Sequence, residues 1–517
     1  MRSRAGCRVF CALGFAAVLL ASRWALAPRY LITFDEINFA LAVENFNPAL
    51  HQPQPPGDPL FVMLLKLLSH ATSDVETLFL SAALLVSFAA VLLIWAFGES
   101  LLGGAGGRIA ALLLLFNPAF WLAALTNPVR LCYAAGATGV ALALFQALRK
   151  HSERWFLVAA ALLGVSSGFR PSLAILLAPL ALWTGLRIRL GWRAAARAAF
   201  LFLLFVATWL PELAAAAGGW IPFGKLLRSY SYGETRATSI LFGAPLGPAA
   251  HMAWEALVWS CLGALSWIWA IPWLARRNRG IGLDALTGRF LMFWFIPGLL
   301  FYATFHVGDA DHTLSIIPAV CLTGAAVLVS LGHEFPKQTG AVAALAVALN
   351  VFLFFKPISQ TAKASTYKPV RWLDGYMANL LDTVSDLQKQ DKVTAIFYSP
   401  ITGWRNLSYY FPEVQIIVVK AQDSGLPAGW LFRHKRAQEW SSKDGLIQVP
   451  SCGLLVWVDP DAQPNTTAGG PAMRRRYPVS FTRAAPGRVF DFRGFRFVAA
   501  PGDCSAAPYS GTRGERP

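Results

Sequence analysis

Apolar runs close to the length needed to cross the hydrocarbon of a bilayer recur from residue 9 to residue 356, and they limit the fold more than any other feature of the sequence. Lipid offers no water to backbone N–H and C=O groups, so a chain carrying such runs crosses as helices. The runs lie near 9–27, 77–97, 109–125, 131–148, 155–169, 172–186, 198–213, 251–273, 289–305, 313–331 and 340–356, which predicts about eleven spans. With 56% of its residues hydrophobic and only 14% charged, the chain is too apolar for a single soluble core. The two runs that meet at Gly168, Phe169, Arg170 and Pro171 also fit one interrupted hairpin, because Gly and Pro punctuate helices.

The short loops assign an orientation. Arg2, Arg4 and Arg8, then Arg149, Lys150 and Arg154, then Arg187, Arg189, Arg193 and Arg197, then Arg276, Arg277 and Arg279 fall on one side, which the positive-inside rule makes cytoplasmic. The loops at 28–76 and 214–250, the turn at 306–312 and everything after 356 then face outward, into periplasm, lumen or exterior; a bacterial inner membrane is the expected setting. Much of the net charge of +17 sits in the cytoplasmic loops, so topology accounts for it and nucleic acid is not an expected partner. Residues 1–27 fit either a retained first span or a cleaved signal peptide, and the retained span is the expectation.

Three parts follow: an embedded part over 1–356, an outward α/β domain over 357–504, and a disordered tail over 505–517. A segment at 60–70 is too short to cross and reads as an interfacial helix. The loop at 214–250, with Tyr230, Tyr232, Glu234 and Arg236, reads as a connector or as a cover for a substrate. In the outward domain an amphipathic stretch at 370–389 precedes strand candidates at 393–398, 414–420 and 453–458, a helical segment near 402–411, and one or two hairpins over 477–499. No nucleotide-binding fingerprint occurs there. Cys7, Cys11, Cys132, Cys261 and Cys321 lack metal-ligand spacing, whereas Cys452 and Cys504 in the outward domain are a disulfide candidate. Asn406 with Ser408 and Asn465 with Thr467 match glycosylation sequons.

Asp35 and Glu36 follow the first span by a few residues. Adjacent carboxylates at that point either cap the helix that Ile37, Asn38 and Phe39 begin, or supply a general base to an acceptor hydroxyl while nearby cations hold a phosphate leaving group.

The run FDEINF at 34–39, directly after a first span, resembles the acidic motif of the protein O-mannosyltransferases and, more broadly, of the GT-C membrane glycosyltransferases, the lipid A aminoarabinose transferases among them. QPPGDPL at 54–60 resembles the His-Pro-Pro-Gly type motif that follows the acidic loop in several GT-C branches, although His51 is set apart from the double proline. The resemblance implies an α-helical polytopic fold with a small outward C-terminal domain, and a sugar donor carried on a polyprenyl phosphate that enters from the bilayer. It implies transfer with inversion to an outward protein, lipid or glycan acceptor, with Asp35 as general base and Glu36 orienting the acceptor or tuning the base.

Arg130 and Arg170 lie at the outward ends of spans, where a buried charge is expensive and usually functional, and are candidates to hold the lipid phosphate. By position the turn HVGDADH at 306–312 resembles the outward segment that helps hold that phosphate in GT-C enzymes, without the Arg-Tyr pair frequent there; His306 and His312 join the candidates, as do His51, Tyr230 and Tyr232 in the other loops. Asp309 and Asp311 in the same turn make a divalent metal possible, though no cofactor is required by the chemistry. A transporter or a flippase for a lipid-linked sugar is the competing class. It calls for charges deep within spans and for internal repeats, neither of which stands out.

Overall fold

In the computed structural model the described residues are 2–334, 338–398, 403–420, 428–433, 436–441, 447–449, 453–458, 467–468, 480–492 and 495–499. They form two compact units, one of Met1–Pro28 with Asn38–Arg371, the other of Arg29–Ile37 with Trp372–Pro517.

The first unit is helical, and every apolar run of the sequence coincides with helix. Among the described residues, Gly6–Trp24, Val75–Leu115, Val129–Lys150, Trp192–Ala216 and Ala285–Thr304 have the length and apolarity to cross a membrane by themselves. Leu246–Ser266 and Ala270–Arg276, bent by 62°, make a further crossing when taken as one broken span. The shorter apolar helices Ser172–Arg187, Ile317–His333 and Thr339–Phe355 occupy three more of the expected positions, and Glu153–Phe169 a fourth. The chain is a multi-pass integral membrane protein.

Breaks between helices follow local chemistry. Val75–Leu115 is interrupted at Gly103, whose φ of 77° belongs to a region glycine enters freely. The span expected at 77–97 lies before this break, and that expected at 109–125 is the last part of this helix together with Pro118–Thr126. Asn117 caps that helix by accepting from the N–H groups of Ala119 and Phe120, with Pro118 at its first position. The fully buried Arg23 donates to the Leu115 carbonyl at 2.6 Å, satisfying an orphan acceptor at the end of the long helix. Glu153–Phe169 and Ser172–Arg187 are joined only by Arg170 and Pro171, the arrangement of an interrupted hairpin.

The loops at 28–76 and 214–250 are structured. The segment expected at 60–70 is the helix Pro59–Leu68. The loop at 214–250 contains the sixteen-residue helix Trp220–Thr235.

In the second unit the strands are β1 Val393–Tyr398, β2 Gln415–Lys420, β3 Ala428–Arg433, β4 Arg436–Ser441, β5 Ile447–Val449, β6 Leu454–Val458, β7 Thr467–Ala468, β8 Ser480–Arg483, β9 Val489–Phe492 and β10 Phe495–Ala499. One sheet runs β4-β3-β2-β1-β6-β8-β7, a second β5-β10-β9. β1 pairs in parallel with both β2 and β6, so it lies in the sheet's interior, and all six of its residues are buried, as a strand covered on both faces requires. On one face Leu380, Val384 and Leu387 of the amphipathic helix Tyr367–Gln390 pack against Ile396, Ile416 and Val456. On the other, Phe397 stacks on Trp457 at 5.1 Å and meets Phe497 of the smaller sheet edge-on at 5.0 Å. The expected elements at 370–389, 393–398, 402–411, 414–420 and 453–458 are all present, and 477–499 contributes β8 and the hairpin β9–β10. The β3–β4 hairpin is an addition. Cys452, Cys504 and the tail over 505–517 lie outside the described residues.

Candidate active site

Thr33 and Glu36 form a reciprocal cap. Glu36 N–H donates to Thr33 Oγ1 at 3.2 Å while the Glu36 carboxylate accepts from Thr33 N–H at 3.0 Å, opening the helix Phe34–Glu44. The same carboxyl oxygen accepts from Ile32 N–H and from the Thr33 hydroxyl, each at 3.0 Å. Glu36 is 4% exposed, and burial pushes its pKa up to about 8 against the opposing pull of these donors and with a smaller upward push from the Asp35 charge. Asp35, beside it in the first helical turn, is only half-buried. The two acids of the motif therefore differ in kind: one is a structural cap that retains its proton near neutrality, the other remains accessible.

The segment leading into this motif is held within the second unit. Asn406 Nδ2 donates to the Leu31 carbonyl at 2.6 Å and Tyr410 Oη accepts from Leu31 N–H at 3.0 Å, so both backbone polar groups of Leu31 are satisfied by side chains of the helix Trp404–Tyr410. Arg29 N–H donates to Asp374 at 2.9 Å and the Tyr30 hydroxyl to Asp382 at 3.2 Å. Phe34 meets Trp404 edge-on at 5.4 Å, and the Arg405 guanidinium lies over the Phe34 ring at 5.4 Å. Burial draws the Arg405 pKa down to about 10, which leaves it charged at neutral pH. Asn406 is itself 2% exposed, so its sequon is a packing site and offers no free amide for glycosylation.

The first unit gathers the cationic candidates. Arg130 and Tyr133 stand three apart on Val129–Lys150, so they share a helix face, and Arg130 Nη1 donates to the Tyr133 hydroxyl at 2.7 Å. The Arg170 guanidinium, from the break between its two helices, lies over the same tyrosine ring at 4.3 Å, with that of Arg130 at 5.4 Å. Arg170 Nε donates to Ser172 at 2.6 Å, while its Nη1 is buried without a hydrogen-bond acceptor among the described residues. A buried guanidinium N–H left in this state is a ready donor for an anion.

The turn at 306–312 meets this pair. Asp311 Oδ1 lies 3.7 Å from Arg130 Nε. Asp309 and His312 cap one another, with His312 Nδ1 accepting from Asp309 N–H at 2.9 Å. Burial first, then the charges of Arg170 and Arg130, lower the His306 pKa to about 4; burial and the same two arginines hold His312 well below its ordinary value. Both rings are neutral at physiological pH, with centroids 6.0 Å apart. Gly308 has a φ of 66°, and a Cβ there would stand 2.7 Å from His312 and 2.9 Å from His306. Asp309, Asp311 and His312 bring ligand-type atoms within 4.8 Å of one another. As a metal centre the set fits poorly, since Asp309 and His312 are engaged with each other, Asp311 with Arg130, and two guanidinium groups oppose a dication.

His51 ends a short 3-10 turn with a φ of 55° and meets Tyr230 edge-on at 5.8 Å, so the loop at 28–76 touches the helix Trp220–Thr235. Tyr232 is half exposed and lies under Arg236 at 6.0 Å. The proline-rich run is tied to the helix Phe34–Glu44 by Asn45 to Gln52 at 3.1 Å and by Asn38 to Gln54 at 3.0 Å. At Gly57 a Cβ would stand 2.6 Å from Leu213.

Arg130, Arg170, Asp311, His306 and His312 are thus one cluster, and His51 and Tyr230 one contact. Sequence reasoning passed over Tyr133, although Arg130 three residues before it on one helix was legible. It also passed over Thr33, although T-F-D-E has the spacing of a capping box. Asn406 and Tyr410 carried no local signal, because their partner is some 375 residues away.

The model of the dolichyl-phosphate-mannose-protein mannosyltransferase family matches residues 53–211. No curated protein sequence matches the chain. The crystal structure of ArnT from Cupriavidus metallidurans bound to undecaprenyl phosphate is similar with a TM-score of 0.55 at 14% identity, over 78% of this chain and 85% of that one. The apo structure of the same protein gives 0.55 at 14% identity, over 80% and 86%. The chain has the fold of ArnT over most of its length.

Proposed function

We propose that the chain transfers a sugar from a polyprenyl-phosphate carrier to an acceptor outside the cytoplasm, with inversion at the anomeric carbon. The observation that carries this reading is the Arg130–Tyr133–Arg170 cluster, in which a buried guanidinium N–H awaits an anion. ArnT, with the same fold, binds undecaprenyl phosphate. Arg130 and Arg170 hold the donor phosphate and neutralise the charge that develops on it as the glycosidic bond breaks. His306 and His312, both neutral, line the same cluster. Asp35 removes the proton of the attacking acceptor hydroxyl. Glu36 holds the backbone on which Asp35 rides. The basic loops face the cytoplasm, and the acidic motif and the C-terminal unit face outward.

The test is incubation of purified protein in lipid with synthetic polyprenyl-phosphate sugars and envelope fractions, with mass spectrometry of the products. Sugar transfer that is abolished in Asp35→Asn supports the reading. Translocation of the donor between leaflets without a glycosylated product sinks it in favour of a flippase.

A further inference from the structure

A partly open cavity lies away from the cationic cluster, among the helices Val129–Lys150, Glu153–Phe169, Ser172–Arg187 and Trp192–Val206. Its volume is about 460 Å³, within the range of ligand pockets. Its walls are apolar, Phe156, Leu163, Leu186 and Phe202 among them, with Arg189 as the one charged residue that lines it.

Arg189, with a φ of 52°, sits in the turn between two helices, and Arg187 and Arg193, both exposed, flank it in the sequence. Lys150 lies over Trp155 at 5.3 Å and Arg193 over Trp192 at 5.5 Å. The two tryptophans are 36% and 76% exposed, the disposition of aromatic anchors at headgroup level. The nearby carboxylate of Glu153 pairs with Arg197 at 3.3 Å. An apolar slot that ends in surplus positive charge at a membrane interface matches an anionic amphiphile: chain in the slot, phosphate at the arginines.

We propose that this cavity binds one acyl chain of an anionic glycerophospholipid, whose phosphate is held by Arg189 with Arg187 and Arg193. The site is separate from the donor site of the proposed reaction, so the two can fail independently.

Native mass spectrometry of the full chain, released from detergent after exposure to phosphatidylglycerol or phosphatidylethanolamine, reads the site directly. Wild type is expected to retain phosphatidylglycerol in preference. Ala199→Phe, which fills the cavity from its wall, is expected to lose the retained lipid. Arg189→Gln is expected to weaken retention of phosphatidylglycerol by about fivefold, the value of one interfacial cation, and to reduce its preference over phosphatidylethanolamine. Arg189 lies on an exposed turn, so this variant stands even where Ala199→Phe does not fold. Equal retention of both lipids by wild type overturns the proposal, as does undiminished phosphatidylglycerol binding in Arg189→Gln. Displacement of phosphatidylglycerol by undecaprenyl phosphate, lost in Ala199→Phe, assigns the cavity to a prenyl tail and overturns it as well.

Discussion

Asn406 donates to the carbonyl of Leu31 at 2.6 Å, and this bond connects the C-terminal sequence to the segment that delivers Asp35. Its loss leaves a buried carbonyl without its donor. Asn406→Leu is expected to cost about 1–3 kcal/mol of stability in the second unit. As a positioning effect it is expected to lower kcat with little change in the KM for the donor. Thermal unfolding and steady-state kinetics on one preparation separate the two; a loss of stability with unchanged kcat refutes the positioning role.

Asp35→Asn removes the proposed base while preserving size. Transfer is expected to fall by about 10²–10⁴-fold, the usual worth of general base catalysis. Donor binding, followed by native mass spectrometry, is expected to persist. Substantial turnover in the variant removes Asp35 from the chemistry.

Glu36 invites a pH experiment. Its folded pKa is raised to about 8 by burial, so the native state binds more protons than the unfolded chain between the ordinary carboxylate range and pH 8. Its contribution to stability is therefore fully present at low pH and is lost as pH rises through about 8. Glu36→Gln, which keeps an acceptor for Ile32 and Thr33, is expected to fold normally and to abolish that dependence. Glu36→Ala is expected to lose about 1–3 kcal/mol by stranding buried donors. Unfolding midpoints of the three proteins from pH 5 to pH 9, roughly the window the linkage spans, give the answer.

Arg170 carries the buried N–H that lacks an acceptor. Arg170→Met is expected to raise the KM for a polyprenyl-phosphate sugar by about 10–150-fold, corresponding to a charged hydrogen bond of roughly 1.5–3 kcal/mol. Arg170→Lys is expected to recover only part of this, since lysine lacks the planar fork. Unchanged donor affinity in Arg170→Met places the phosphate elsewhere.

Chelation addresses the turn at 306–312. Asp309 and His312 cap each other and Asp311 faces Arg130, so activity is expected to survive treatment with EDTA. Loss on chelation and recovery with a divalent cation would refute that view of the cluster.

The apolar runs determined the helical embedded part by themselves, because unpaired backbone in hydrocarbon leaves few alternatives to a helix. Strands β1, β2 and β6 were equally legible as short apolar runs. FDEINF located the two acids within its own six residues. Their difference in character was not local: it depends on which carboxyl is buried, and that comes from packing. The sharing of Tyr133 by Arg130 and Arg170 needs the break between Glu153–Phe169 and Ser172–Arg187 to fold back against Val129–Lys150. The bond from Asn406 to Leu31 joins residues 375 positions apart in a chain of 517. Hydropathy and capping act over a few residues and can be read in order; side-chain convergence is set by how the helices and sheets pack, and only the tertiary structure decided it.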